Sequence, residues 1–348
     1  MHEDASTAGE LHVLSRLAPL ALTLLLPVLP GPEVVSRTTR PLDEAPPPHR
    51  AAARERWMSR AAPLLLAVML LAGCKEAARN ADCRVTIVRN DTTLSLAQFA
   101  QLSARFDIVV VGETHRDVEL LRFLGTWLRE LSATTPRARV VGWEFLAQDE
   151  QGAMDEQFAR FRQGLASLSD LVPLTDGGEK NLVYAPVLMA VRDTGARLLG
   201  VNTTRQRRHE VLTTGYNPSL FPAGFELGNA AYRERFEREM PAHVAPEQRD
   251  AYFLAHCLSD DVMAAAIAAE SASTQKILLV GSFHSDFFAG VGARLHARAP
   301  LQSILTVSAM RVGTADELLP NKLGADGQLG RRSDVMIGVS RACAAPRI

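Results

Sequence analysis

The sequence has little of what would assign it to a common enzyme class or to the nucleic-acid-binding proteins. It contains only four cysteines in 348 residues, and no two are spaced as a C-x-x-C metal, redox or haem-attachment motif. The formal net charge is −1, so no basic surplus exists to neutralise phosphates, and nucleic acid is not an expected partner. Phosphate-binding loops, dinucleotide-binding glycine turns and serine-nucleophile elbows are also missing, which disfavours NTPases, dinucleotide enzymes and serine hydrolases.

The apolar runs near the start of the chain are too short to span a membrane. Two runs near the start, residues 17–30 and 61–73, fall short of the ~20 residues that a membrane-spanning helix requires. The second run follows Arg60 and ends in a Leu-Ala-Gly-Cys quartet at Cys74, which resembles the lipobox of bacterial lipoprotein signals. The pattern predicts that residues 58–74 are a lipoprotein signal and that Cys74 carries the lipid. An ordinary signal peptide followed by a chance cysteine is the alternative.

The segments on either side of this signal are predicted to lie outside the folded domain. Residues 41–56 contain three consecutive prolines and no periodic apolar pattern, so residues 1–57 are expected to be unstructured or absent from the mature protein. Residues 75–95 are polar and are predicted to form a tether. Cys83 and Cys343 would share a compartment that permits disulfides, and a bridge between them and two free thiols both remain open.

The rest of the chain alternates strand-like and helix-like patterns, and its composition, 47% hydrophobic and 22% charged, is typical of a globular protein. A run of β-branched residues within 107–111 fits a strand buried on both faces, and residues 120–131 carry apolar side chains at helical spacing. The alternation predicts a single α/β domain over residues 96–312, with a mostly parallel sheet and helices packed on both of its faces. Residues 313–348 are predicted to be loop, with a final strand at 335–339 as an option. Further helices are predicted at 149–164, 181–194, 246–269 and 287–299.

Three of the predicted strands end in residues that can carry chemistry. The first runs into Gly-Glu-Thr-His, ending at His115; the second has Glu144 near its end; and the strand from Ile277 runs into Gly-Ser-Phe-His, ending at His284. Open α/β sheets bind ligands at the carboxyl ends of their strands. In both Gly-x-x-His segments the glycine permits a sharp turn that brings the imidazole over the sheet edge. We therefore expect His115, Glu144 and His284 to lie within a few ångströms of one another.

Two histidines and one or two carboxylates at one sheet edge suit two kinds of chemistry. Neutral imidazole and carboxylate groups of His115, Glu144 and His284 would hold a divalent metal such as zinc or iron in an open catalytic site. Alternatively, Glu113 or Glu144 would take a proton from water as a general base. The structural alternative is that each histidine caps the helix after it or bonds a backbone carbonyl. The combination of two such histidines with two glutamates favours a functional site.

The same residues carry a resemblance to a known family. The stretches Val109–His115, Gly142–Phe145, Asp261–Ala264 and Gly281–His284, followed by Gly290 and Val291, resemble the ChaN family of haem-binding lipoproteins within the Tiki/ChaN superfamily. The match runs in order from about residue 96 to residue 308. Tiki relatives that share the paired Gly-x-x-His and the glutamate are metal-dependent proteases. One departure is Gly292, at a position where family members often have proline.

The resemblance implies a haem-binding lipoprotein involved in haem and iron uptake. The candidate residues for ligand binding are Glu113, His115, Glu144, Arg205, Asp261 and His284. A metal-dependent hydrolase, protease or esterase, with Glu113 and Glu144 as catalytic residues, is the second interpretation, and a structural envelope lipoprotein is the third. The implied location is the bacterial cell envelope, lipid-anchored in the outer membrane and facing the periplasm. The implied partners are haem, the membrane, an outer-membrane haem receptor and a second copy of the chain.

Three details of the site follow less directly from the sequence. Asp261 matches the family pattern and lies on a largely apolar helix, so it needs a partner. Arg205 is a candidate for that partner or for binding a haem propionate or a carboxylate substrate, but a surface arginine is the favoured interpretation. His256 and Asp260 are four residues apart and would permit a second metal or propionate contact, but a surface helix pair is the favoured interpretation. No tyrosine falls in a family motif, so no haem axial ligand is assigned.

Overall fold

The computed structural model describes residues 84–240, 244–319 and 322–340. The segments 1–57 and 58–74, with the lipidation site predicted at Cys74, lie outside the described residues. Cys83 and Cys343 lie outside them too, so neither the lipid nor the disulfide is addressed by the structure. These remain predictions.

Two sets of elements make up the described part of the chain. The strands are β1 (Val85–Arg89), β2 (Thr92–Leu94), β3 (Ile108–Glu113), β4 (Arg139–Ala147), β5 (Arg197–Asn202), β6 (Gln275–Gly281), β7 (Ile304–Val312), β8 (Ala325–Asp326), β9 (Gly330–Arg331) and β10 (Val335–Ser340). The helices are α1 (Leu96–Ser103), α2 (Val118–Thr134), α3 (Gln151–Arg162), α4 (Leu168–Leu171), α5 (Ala185–Asp193), α6 (Arg205–Thr214), α7 (Ala230–Glu239), α8 (Arg249–Ala269), α9 (Ser282–Ser285) and α10 (Val291–Arg298).

Eight of these strands form one sheet in the order β2-β1-β10-β7-β3-β6-β4-β5. The six strands from β10 to β5 are parallel to one another, and β1 pairs antiparallel with both β10 and β2. Strands β8 and β9 form a separate two-stranded hairpin. The predicted mostly parallel α/β sheet is thus confirmed.

The central strand β3 shows why the sheet needs helices on both faces. Its sequence, Ile-Val-Val-Val-Gly-Glu, is buried at every position. Val109 and Val111 belong to the same apolar cluster as Trp127 of α2, whereas Val110 belongs to a second cluster with Met263 of α8. Successive side chains of a strand point to opposite faces, so a continuous apolar run must be covered twice. Helices on both faces are therefore confirmed.

Helix α8 and the helical turn before it together span Pro246–Ala269. Among the described residues, this is the one helix that is long and apolar enough to cross a membrane. A core helix of a folded domain passes the same test, and 61% of its most apolar window is buried inside the protein. Its apolar character is explained by packing against the sheet through residues such as Met263 and Ile267.

Two local predictions differ from the structure. The prediction that residues 75–95 form a tether is wrong for residues 85–94, because β1 and β2 form a hairpin that adds two strands to the sheet. The hairpin turns at Asn90 and Asp91, which have φ angles of 47° and 63°. The helix predicted from residue 287 begins only at Val291, since the preceding segment contains left-handed backbone. The option of a final strand is realised by β10, which pairs with β7 and β1.

Candidate functional site

The first half of the site lies where β3 ends. Glu113 is the last residue of β3 and is only 3% exposed, whereas His115 in the turn after it is 38% exposed. One Glu113 oxygen, Oε1, accepts hydrogen bonds from His115 Nδ1 at 2.8 Å and from the Tyr184 hydroxyl at 2.5 Å. Burial and the negative charge of Glu113 raise the pKa of Tyr184, so the phenol keeps its proton.

The side chain of Glu144, from β4, lies between the turn that carries His115 and the turn that follows β6. Its Oε2 accepts the backbone N–H of Gly281 at 2.5 Å and lies 3.8 Å from His115 Nε2. Its Oε1 lies 3.4 Å from Nε2 of His284, which belongs to α9. The structure therefore brings His115, Glu144 and His284 together at one sheet edge.

Helix α8 supplies a second carboxylate on the far side of His284. Asp260 is completely buried, and its Oδ1 accepts a hydrogen bond from His284 Nδ1 at 2.7 Å. Its Oδ2 accepts the hydroxyl of Tyr232, from α7, also at 2.7 Å. Because the tyrosine proton points to Asp260, the tyrosine oxygen accepts from His256 Nε2, which lies 2.7 Å away. The ring of His256 stacks on His284 with 4.3 Å between centroids.

These contacts fix the protonation states of the cluster. Burial alone would lower the pKa of His284, but the negative charges of Glu144 and Asp260 outweigh it and raise that pKa to about 10. Burial would likewise raise the pKa of Glu144, but the charge and hydrogen bond of His284 bring it down to about 2. Burial, together with the positive charge of His284, lowers the pKa of His256 to about 3. At neutral pH the site holds an imidazolium between two carboxylates, next to a neutral imidazole.

This protonation pattern bears on the metal interpretation. His256, Asp260 and His284 offer ligand atoms within 4.8 Å of one another, which is close enough for one ion. A metal-binding imidazole must be deprotonated, and both ring nitrogens of His284 face carboxylates, so an ion that bound here would have to displace a proton from His284. The described contacts are thus those of a proton-holding network.

A close approach explains the glycine before His284. A Cβ atom on Gly281 would lie 2.7 Å from His115 Nε2, which is nearer than Cβ atoms come to other heavy atoms in real structures. The missing side chain therefore leaves the space in which His115 reaches Glu144.

Two of the predicted site residues lie apart from the cluster. Arg205 pairs with Asp176 and does not pair with Asp261. The partner of Asp261 is Arg298 of α10, whose guanidinium donates to both carboxylate oxygens at 2.6 and 3.0 Å. The option of an Arg205 to Asp261 pair is wrong, because Arg205 of α6 donates to Asp176, and its side chain is 74% exposed, as the favoured surface interpretation predicted.

The prediction that His256 and Asp260 form a surface helix pair is also wrong. The Asp260 side chain is fully buried and that of His256 is 17% exposed, because α8 is covered on several sides. Sequence reasoning also missed Tyr184 and Tyr232, which bond the two buried carboxylates. No spacing in the sequence marks these contacts, because each tyrosine reaches its carboxylate from another element of the fold.

A cavity of about 570 Å³ opens beside the cluster. Glu144, His256 and His284 lie at its polar end, and the other walls are mainly apolar. A second cavity, of about 770 Å³, adjoins the first and shares Glu144, Phe145, Asp176, Asn202 and Arg208 with it. The apolar walls of the first cavity include Leu212, Phe236, Met240, Tyr252, Ala255 and Phe283.

Comparison with known proteins places the chain in a family. The sequence model of one protein family matches residues 99–295, which is more than half of the chain. That family is described as "Haem-binding uptake, Tiki superfamily, ChaN". None of the curated proteins is similar in sequence to it.

Among solved structures, cofacial haem-bound ChaN of Campylobacter jejuni matches with a TM-score of 0.60 and 17% identity, over 74% of this chain and 97% of that one. At this identity the likeness shows the fold alone. A type III effector has a TM-score of 0.44 at 12% identity, covering 70% of this chain and 92% of its own. A MARTX toxin effector domain from Vibrio vulnificus has a TM-score of 0.38 at 16% identity, covering 62% of this chain and 36% of its own. The last two scores are too low to support an argument.

Proposed function

The chain belongs to the ChaN family of haem-binding uptake proteins in the Tiki superfamily, and we propose that it binds haem in the apolar cavity beside His256 and His284. Haem binding is a property of the family, and the position of the site in this chain is our inference. The observation that carries it is the composition of the cavity wall, which has an apolar surface, an accessible ligand for iron and cations nearby.

The apolar surface suits a flat hydrophobic ligand. Phe236, Met240, Phe283 and Leu212 line the cavity, and small-molecule sites are lined mainly by such side chains with a few placed polar groups. Phe283 is itself held between elements, because Arg235 of α7 lies 4.3 Å from its ring centroid.

Helix α8 offers an iron ligand on the cavity side. Tyr252 and His256 are four residues apart and line the same wall. The His256 Nε2 atom is engaged by Tyr232, whereas the Tyr252 hydroxyl has no hydrogen-bond partner within the described residues, and its residue is 41% exposed. Tyrosine is a recognised haem-iron ligand. We propose Tyr252 as that ligand.

The buried cluster would provide the polar end of this site. The chain holds a proton on His284 through Asp260 and Glu144, which leaves the cavity with a fixed polar wall instead of a free carboxylate. A fixed polar wall restricts how a ligand with polar and apolar sides can sit in the cavity.

Replacing Tyr252 by phenylalanine tests the proposal. The variant keeps the ring but loses the iron-binding oxygen, so we expect the haemin absorption band to change position and the affinity to fall by roughly tenfold or more. Tyr216→Phe is the matched control, because Tyr216 is also exposed, at 59%, but does not line the cavity. Identical spectra for the wild type and Tyr252→Phe would remove Tyr252 from the site.

We further propose that the protein is a lipid-anchored envelope protein that serves haem or iron uptake, with an outer-membrane haem receptor and a second copy of itself as partners. The support for anchoring is the quartet that ends at Cys74 after a short apolar run. Replacing Cys74 by alanine is expected to move the protein from the detergent-soluble membrane fraction to the soluble fraction. Variant protein that stays in the membrane fraction would contradict lipidation at this cysteine.

A further inference from the structure

The second cavity differs in character from the first. Its wall carries four basic side chains, from Arg116, Lys180, Arg205 and Arg208. The carboxylates that also line it are Glu144, which is engaged with His284, Glu150 and Asp176. Asp176 pairs with Arg205 and Arg208, so an anionic group entering this cavity would meet that ion-paired set together with Arg116 and Lys180.

Asp176 organises two of these arginines. Arg205 and Arg208 both donate to the Asp176 carboxylate, and Arg208 also donates to the Thr203 carbonyl oxygen at 2.7 Å. The Arg208 side chain is 23% exposed and fixed by two partners, while that of Arg205 is 74% exposed. A largely buried fork of N–H donors next to a more exposed one is a suitable receptor for a carboxylate.

Arg208 and its partner Asp176 lie where the two cavities meet, since both residues line both cavities. A ligand with an apolar body in the first cavity would place an acidic substituent beside Arg208. We propose that the second cavity is a carboxylate subsite, which takes the acidic side chains of the porphyrin; this assignment rests on the haem binding proposed above.

The orientation of the ligand follows from this placement. Its apolar edge faces Phe236, Met240 and Phe283, and its carboxylates face Arg208 and Arg205. Asp176 keeps the arginines positioned when no ligand is present, and its own pKa is lowered, against the effect of burial, by hydrogen bonds and charges of those arginines. The carboxylate subsite thus selects amphipathic acids over neutral porphyrins.

Binding of haemin and of haemin dimethyl ester to Arg208→Gln tests the assignment. We expect the dissociation constant for haemin to rise about tenfold, because one charge-assisted contact is lost, while that for the uncharged ester changes by less than about twofold. Arg129→Gln serves as the control, since Arg129 pairs with Asp193 on the surface and lines neither cavity. It should bind both probes as the wild type does.

The wild type provides a second measurement that needs no variant. Its affinity for haemin should weaken as salt is raised from 0.05 to about 0.5 M, whereas its affinity for the ester should not, because salt screens charge contacts. Equal salt dependence for the two probes, or haemin binding by Arg208→Gln that matches the wild type, overturns the subsite. A wild type that binds the ester but shows no preference for haemin also overturns it and leaves haem binding intact. A wild type that binds neither probe refutes both proposals.

Discussion

Replacing Asp260 by asparagine is expected to lower the free energy of unfolding by about 3 kcal/mol, because breaking a buried ion pair leaves an uncompensated charge inside the protein. Asp260 is completely buried and accepts from His284 and Tyr232, with Arg294 at 3.5 Å. The amide has nearly the same shape as the carboxylate, so the loss would be one of charge and not of packing.

The loss of unfolding free energy in Asp260→Asn should depend on pH in a defined direction. The pKa of His284 rises from 6.5 to about 10 on folding. Its contribution to stability is therefore complete below pH 6.5 and is lost as the pH rises towards 10. Because Asp260→Asn reduces this shift, the difference between wild type and variant should shrink between pH 6.5 and pH 10.

Urea unfolding at several pH values measures both effects. The control is Asp193→Asn, which breaks an exposed pair with Arg129 and Arg192 and should cost less than about 1 kcal/mol at any of these pH values. Equal losses for the two variants would show that Asp260 carries no buried ionic contact.

Replacing Gly290 by alanine is expected to destabilise the protein by about 3 kcal/mol or more, because two independent penalties combine. Its φ and ψ angles are 55° and −121°, a region that side chains with a Cβ rarely occupy. An added Cβ would also lie 2.3 Å from the His284 carbonyl oxygen and 2.8 Å from the Tyr232 hydroxyl. The turn that carries His284 would have to move.

The neighbouring Gly292 is a control, because alanine at this position is not expected to destabilise the protein. It lies in the first turn of α10, and a Cβ there would meet no atom within 4 Å. Alanine at this position should leave the stability unchanged or raise it by up to about 1 kcal/mol, since alanine favours helices. Thermal unfolding of the two variants tests the pair, and similar changes for both would contradict the role given to Gly290.

The sheet and part of the site were predictable for one shared reason. A continuous β-branched run such as that in β3 indicates a strand buried on both faces, and parallel strands end at a common edge. Glu113 and Glu144 lie in the last part of such strands, and His115 and His284 lie in the turns that follow them, so their proximity followed from their position in the sequence. The family resemblance rests on the same residues.

The partners of these residues could not be found in this way. Asp260 and His256 are on α8, and helical spacing alone does not show whether a helix has a solvated face. The hairpin of β1 and β2 was not predicted from the sequence. In the structure, Asn90 and Asp91 form its tight turn with left-handed backbone, a conformation that asparagine and aspartate tolerate. Strands β1 and β2 are only five and three residues long, and β1 joins the sheet through its pairing with β10.

The central claim is that the cavity beside His256 and His284 binds haem and not a catalytic metal. The direct measurement is a haemin titration of chelator-treated protein, followed by absorption spectroscopy, with a zinc titration by calorimetry in parallel. We predict a shifted Soret band that saturates and persists in chelator, with weak or no zinc binding, because the protons of His284 are held by two carboxylates. A protein that leaves the haemin spectrum unchanged but binds one zinc ion tightly, and loses it when His115 and His284 are replaced, would contradict the account.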